Sequence, residues 1–209
     1  MQAALIALTI VLGYLFGGLN GAIIISRCCA HEDVRKKGSG NAGLTNFHRN
    51  YGGGGSLLVI LVDVLKTVAA CLLGSWLMGR YGLADTGRML AGVACMVGHM
   101  FPVYFGFQGG KGILCGAALA ATMDVRAFAV VFGIFLVVVI LTRYISLGSI
   151  LAACSFPFAF AWAFPENWAV IGMAAGVAAL TIWMHRGNIS RLVHGNERKF
   201  HLKKTKGEE

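Results

Sequence analysis

The sequence is short of charge, and shortest of all of carboxylates. Of 209 residues only 13% are charged, and Asp and Glu together number 9. A soluble domain carries about a quarter charged residues, so this chain lacks the polar side chains to cover a water-exposed surface. There are three prolines. No His-Glu-x-x-His and no Cys-x-x-Cys is present, so the sequence offers no recognisable zinc or cofactor motif. The six cysteines are scattered: Cys71, Cys95, Cys115 and Cys154 lie in apolar runs, and they read as reduced structural residues.

What is present is apolar. Hydrophobic residues make up 57% of the chain, and the mean hydropathy is +0.71. A bilayer supplies the apolar solvent that such a composition needs. Apolar runs occupy Ala3–Ile25, Ser56–Met78, Met89–Phe105, Ile113–Met123, Ala127–Leu141, Leu147–Phe164 and Trp168–Met184. Crossing a bilayer as a helix takes about 20 residues. The fourth run is too short for that and reads as a short broken helix, or as half of a re-entrant hairpin with the fifth. The first run has no basic start and no small-residue cleavage pattern, so it is expected to be a retained span rather than a signal peptide. The expected fold is an all-α integral membrane protein of about seven transmembrane helices: one polytopic unit over residues 1–200 and a basic tail over 201–209.

The net charge of +9 is distributed as topology, not as a nucleic-acid surface. Fourteen of the 18 Lys and Arg fall on one side of this arrangement; Arg80, Arg88 and Arg126 fall on the other, and Lys66 lies inside a span. The positive-inside rule makes the first side cytoplasmic, with the N-terminus outside and the C-terminus inside.

That assignment uses charge alone, yet it places four polar stretches on one face. The first runs Gly38-Ser39-Gly40-Asn41-Ala42-Gly43-Leu44-Thr45-Asn46 and reaches Arg49. Glycine permits close backbone approach, successive amides can form an anion nest, and an arginine fork suits phosphate; an ordinary Gly/Asn turn explains this stretch equally well. The second joins Gly98-His99 and Phe101-Pro102 to Gly109-Gly110-Lys111-Gly112, where amides, a helix N-terminus and an ammonium can converge on an anion. It is not a Walker A loop: Phe105 stands where Gly is required and Gly112 where Ser or Thr is required. The third, Thr142 to Ser149 with Ser146, is explained on its own by a helix cap and an interfacial Arg-Tyr pair. The fourth sets His185 and Asn188 three apart, on one helix face, with Arg191 and Glu197 beyond. Asp63 and Lys66, also three apart, lie inside an apolar run. Charge at that depth is costly, so they read as a structural pair.

Taken in order, Ser39-Gly40-Asn41-x-Gly43-x-Thr45-Asn46-x-x-Arg49, Gly98-His99-x-Phe101-Pro102 with Gly109-Gly110-Lys111-Gly112, and His185-x-x-Asn188-Ile189-x-Arg191-Leu192 resemble the bacterial acyl-phosphate:glycerol-3-phosphate acyltransferases, the PlsY family. Asp63-Val64-Leu65-Lys66 and Arg143-Tyr144-x-Ser146-Leu147-Gly148 are similar too. Gln108, Leu44 and Thr67 depart from the family's pattern. The resemblance implies an enzyme of the bacterial inner membrane with its site facing the cytoplasm. It would move an acyl chain from acyl phosphate to the sn-1 hydroxyl of glycerol 3-phosphate, giving lysophosphatidic acid and inorganic phosphate for phospholipid synthesis. It implies no cofactor, no metal and no nucleic acid; its partners would be the two substrates and membrane lipid. On the matching positions it implies catalytic roles for Ser39, Asn41, Arg49, Lys111, His185 and Asn188, substrate contacts from Thr45, Asn46, Gly109, Gly110, Gly112 and Ser146, and structural roles for Asp63, Lys66 and Glu197.

The His-x-x-x-x-Asp motif of soluble-type glycerolipid acyltransferases is missing, because no histidine here has Asp five residues on. The base is therefore either His185 or a substrate phosphate. The competing class, a phosphate or organophosphate transporter, accounts for apolar spans and anion loops but needs a midplane site open to both sides. A lipid phosphatase is a further alternative, whereas a CDP-alcohol transferase would need an acid-rich metal motif that is absent.

Overall fold

The computed structural model describes residues 1–200, and these are helical with no strand among them. The basic tail expected over 201–209 lies outside the described residues. The helices are α1 Gln2–Gly18, α2 Gly21–Ala30, α3 Leu44–Tyr51, α4 Gly53–Gly79, α5 Ala84–Met100, α6 Ile113–Met123, α7 Val125–Thr142, α8 Ile145–Ala163, α9 Trp168–Met184 and α10 Arg186–Val193. Five segments are long and apolar enough to cross a membrane: Gln2–Ala30, Gly53–Gly79, Ala84–Phe105, Val125–Thr142 and Ile145–Ala163. Helices α9 and α10, bent by 57° at His185, make a sixth if taken as one span. The fourth apolar run forms α6, 11 residues long, largely buried among its neighbours. It ends at Asp124, whose carboxylate accepts hydrogen bonds from the amides of Arg126 and Ala127 and so starts α7.

In lipid, apolar side chains gain nothing by leaving their solvent, so helices associate through close packing. Glycines make that contact. A Cβ on Gly17 would lie 2.0 Å from the Cys95 carbonyl oxygen, and one on Gly98 would lie 2.1 Å from that of Tyr14. Helices α1 and α5 therefore touch backbone to backbone, and Gly74 and Gly87 bring α4 and α5 together in the same way.

The first apolar run is not one helix. It breaks at Leu19–Asn20, and the groups freed by the break are satisfied by buried side chains. Lys66 Nζ donates to the carbonyl oxygens of Gly17 (3.1 Å) and Leu19 (3.0 Å), closing the end of α1. Asp63 Oδ1 accepts from the Gly21 amide, and Asn20 Oδ1 accepts from Ile23, opening α2. The Asp63–Lys66 pair is formed, at 2.7 Å, with both side chains almost fully buried. Its i,i+3 spacing was legible; its work in holding a helix break was not.

Candidate active site

The four polar stretches meet in one cavity of about 1020 Å³. The first stretch is fixed from beneath. Asp33 accepts from the Arg35 amide and caps the short 3-10 turn Val34–Lys36. The Arg35 guanidinium beside it holds the Asp33 carboxyl well below the usual carboxylate range, against the opposing effect of burial. Arg35 also reaches across to the second stretch, donating to the Phe105 carbonyl at 2.6 Å and that of Gln108 at 3.1 Å. The Ala42 amide donates to the Gly109 carbonyl, so the two signature loops lie side by side.

Asn46 corrects one expectation. Its amide group donates to the carbonyls of Val34 and Lys37, and its Oδ1 accepts from the Ser39 amide (2.9 Å) and from Asn50. Its hydrogen-bonding capacity is spent inside the loop. Asn46 therefore shapes the loop rather than offering a free group to a ligand. The Ser39, Asn41, Thr45 and Arg49 positions line the cavity as expected.

The second stretch forms the cavity floor. Gly109 donates to the Met100 carbonyl and Gly110 to that of His99. A Cβ on Gly109 would fall 2.0 Å from the His99 carbonyl oxygen, so no larger residue fits that fold of the loop. Gly112, at φ +78°, precedes α6 and leaves Lys111 facing the cavity. Gly110 packs against the His99 ring, which itself lines the cavity.

The fourth stretch supplies the opposite wall. Lys111 Nζ donates to Asn188 Oδ1. Asn188 Nδ2 donates to Glu197 Oε1 and Arg191 Nε to Glu197 Oε2, each at 2.7 Å. The Phe200 amide donates to the Arg143 carbonyl, tying the chain after α10 to the α7–α8 connection. His185 Nδ1 lies 2.8 Å from the Thr181 carbonyl oxygen. A carbonyl only accepts, so Nδ1 carries the proton, and in the neutral ring Nε2 is an acceptor. Ser146 and Thr181 also line the cavity; among the described residues the Thr181 hydroxyl is buried without a hydrogen-bond partner, and the Ser146 hydroxyl lies toward Glu197.

Positive charge gathers at this mouth. Burial, then the charges of Arg198 and Arg191, lowers the Arg49 pKa. Burial and Arg191 bring that of Lys111 down to about 8. Glu197 answers only part of this charge; burial raises its pKa, but donors from Ser146, Asn188 and Arg191 outweigh it and lower the pKa. An anion would relieve the rest. Below the mouth the cavity turns apolar, lined by Met96, Phe128, Phe132, Phe135, Phe156 and Val177. From Ser146 to Phe156 along α8 the drop is ~15 Å at the helical rise per residue.

Two other features do not compete. A concavity of about 540 Å³ near Arg27 and Lys36 has most of its charges paired among themselves, Arg27 and Arg35 to Asp33 and Lys37 to Glu32. Donor atoms of Asp63, His99 and Cys115 lie within 4.8 Å of one another. Lys66 Nζ, 2.7 Å from Asp63 Oδ1 and 3.0 Å from His99 Nδ1, already places a cation among them.

Sequence reading gave no role to Asn20 or His99. The Asn-Gly pair at 20–21 inside an apolar run was the available signal for the break.

The model of the glycerol-3-phosphate acyltransferase family matches residues 7–195. A glycerol-3-phosphate acyltransferase of Syntrophomonas wolfei is 38% identical over 198 residues, covering 92% of this chain and 96% of that one. One of Shouchella clausii is 39% identical over 203 residues, covering 95% and 97%. Among solved structures, PlsY (YgiH), an integral membrane glycerol 3-phosphate acyltransferase, superposes in its glycerol 3-phosphate form with a TM-score of 0.83 at 32% identity, covering 94% of this chain and 96% of that one. Its lysophosphatidic acid form gives 0.79 at 31% identity, covering 94% and 95%. A cationic mouth over an apolar shaft suits an enzyme that joins a phosphate-bearing alcohol to a fatty chain, and the chain belongs to the glycerol-3-phosphate acyltransferase family.

Proposed function

We propose that the protein transfers an acyl group from acyl phosphate to the sn-1 hydroxyl of glycerol 3-phosphate. Products are lysophosphatidic acid and inorganic phosphate, formed at the cytoplasmic face of the bacterial inner membrane. One observation carries this reading: a single cavity joins excess positive charge to an apolar shaft. Both substrates bear a phosphate and one bears a chain, so a donor lying with its phosphate at the mouth and its chain in the shaft uses both parts.

Lys111, with the N-terminus of α6 after Gly112, binds phosphate; the Gly109 and Gly110 amides are already held by the Met100 and His99 carbonyls, so these glycines shape the loop instead of donating to the ligand. Ser39, Asn41 and Arg49, with Thr45, sit around the acyl carbonyl and stabilise the oxyanion as it develops. Asn188 and Ser146 orient glycerol 3-phosphate, and Glu197 holds Asn188. His185 accepts the attacking hydroxyl's hydrogen bond at Nε2. Its one hydrogen bond among the described residues is to a carbonyl, so no carboxylate is bonded to it to hold it as an imidazolium. The hydroxyl proton accordingly passes to a substrate phosphate oxygen, the hydroxyl oxygen bonds to the acyl carbon, and the carbon–oxygen bond to the leaving phosphate breaks. The positioned groups contribute by proximity and charge stabilisation.

Purified protein in lipid, given palmitoyl phosphate and glycerol 3-phosphate, should release inorganic phosphate only when both are present and should form lysophosphatidic acid. Release without an acyl acceptor, or uptake of glycerol 3-phosphate into proteoliposomes without product, would overturn the assignment.

A further inference from the structure

His99 belongs to none of the roles above, yet its ring lines the same cavity while remaining 3% exposed. Every polar contact of the ring among the described residues is made at Nδ1. Lys66 Nζ lies 3.0 Å away, Asn20 Nδ2 3.5 Å, and Asp63 Oδ1 3.5 Å. An ammonium only donates. If the single ring proton sat on Nδ1, it would point at the Lys66 protons. The neutral ring therefore takes the Lys66 donor at Nδ1 and carries its own proton on Nε2. A doubly protonated ring turns an Nδ1 proton toward Asp63, and again Nε2 carries one. In both arrangements Nε2 is a hydrogen-bond donor.

That donor is aimed at the phosphate loop. It packs so tightly on Gly110 that a Cβ there would come within 2.3 Å of it. Lys111 follows in sequence, and the Gly110 amide is held by the His99 carbonyl. Across the cavity His185 has the opposite arrangement, its proton fixed on Nδ1 and its acceptor free. The two histidines thus offer one donor and one acceptor to the same space.

We infer that His99 is a further substrate-binding residue, whose Nε2–H donates to a phosphoryl oxygen held beside the Gly109–Lys111 loop. Lys66 and Asp63 act as positioning residues, fixing the ring through Nδ1. The inference rests on the proposed reaction for the source of the phosphate, and on the ring's surroundings alone for its donor.

The direct test is nitrogen NMR of histidine-labelled protein in lipid nanodiscs titrated with inorganic phosphate, the His99 signal being identified by its loss in His99→Asn or His99→Gln. A protonated Nε2 whose resonance moves on adding phosphate is expected. A protonated Nδ1 with bare Nε2, or an Nε2 signal that phosphate leaves unmoved, would overturn it. Kinetics distinguish the two phosphate sources. His99→Asn keeps an acceptor for Lys66 but loses the Nε2 donor. With thermal unfolding unchanged, it should raise KM roughly 10- to 100-fold, the effect of one hydrogen bond to a charged group. The rise should fall on acyl phosphate if its phosphate occupies the loop, and on glycerol 3-phosphate if that one does. Wild-type KM for both in folded His99→Asn would refute the inference. Should the wild type turn over neither substrate, the proposed reaction fails, while the phosphate titration still decides the role of His99.

Discussion

Two charged networks lie one behind the other in this molecule, and they differ in how completely they are satisfied. The inner one, Asp63, Lys66 and His99 with Asn20, is almost fully buried, and each charge faces partners: carboxylate to ammonium, ammonium to two helix-end carbonyls, carboxylate to a helix-start amide. The outer one runs from Lys111 through Asn188 and Glu197 to Arg191 and lies along the cavity, with Arg49 and Arg198 nearby and one carboxylate among four cations. A network that closes on itself fixes structure, because removing any member strands a buried charge. One left with excess positive charge is poised for an anion. The comparison separates residues that hold the fold from residues that meet the substrate, although both sets are charged; His99 joins them, tied to the inner set through Nδ1 and offering Nε2 to the substrate.

The comparison can be broken from the inside first. Lys66→Met leaves the Asp63 carboxylate buried and unpaired, so it should lower stability by ~3–5 kcal/mol. The Asp63→Asn, Lys66→Met double variant should recover part of that loss. Thermal or denaturant unfolding in mild detergent reads both, and a Lys66→Met protein as stable as wild type would place the pair outside the structural role assigned to it.

The outer network should respond in the opposite sense. Lys111→Ala and Arg49→Ala should each reduce kcat/KM by ~100-fold or more, at least ~2.7 kcal/mol of transition-state stabilisation. Their unfolding should stay near that of wild type. Large destabilisation with normal turnover per folded molecule would reverse the division between the networks.

Acidity sharpens the same distinction. Burial and Arg191 hold the Lys111 pKa down to about 8. It is an ammonium below that pH and an amine above it. Anion binding in the free enzyme should therefore be strongest below about 8, and KM for the phosphate substrates should rise as pH climbs through that value. Lys111→Arg, which stays charged, should flatten the rise even if it lowers kcat. An unchanged slope in that variant would assign the titration elsewhere.

The smallest effect belongs to Glu197, which reaches the substrate only through Asn188. Glu197→Gln keeps the shape and can still accept from Asn188, so kcat/KM should fall only ~2- to 10-fold, in the range of one hydrogen bond. A loss as deep as that of Lys111→Ala would make Glu197 a participant in the chemistry.

Particular elements show what could be read in advance. Helix α6, Ile113–Met123, and helix α9, Trp168–Met184, coincide with their apolar runs, because in a bilayer a long apolar segment must satisfy its own backbone as a helix. The third run, marked to Phe105, was less well bounded: α5 ends at Met100 and a 3-10 turn follows, since Pro102 cannot continue a helix. The first run conceals a break, as Leu19 and Asn20 sit in an otherwise apolar segment and the groups that satisfy the break, the Lys66 donor and the Asp63 acceptor, come from more than 40 positions away. By residue type Asn46 suits a ligand group; only its four contacts show it spent within its own loop.

The sequence by itself determined that this chain is helical and membrane-embedded, and that its phosphate-suited residues come in a few short glycine-rich stretches. Those properties follow from composition, periodicity and local chemistry, which act over a few residues. Which polar groups are spent and which remain available was decided by tertiary structure. It set Lys66 on the end of α1, joined Lys111 to Asn188, and gave His99 a donor where His185 has an acceptor. A side chain's free valences depend on partners that only packing brings within 3 Å or so, and no spacing along the chain records them.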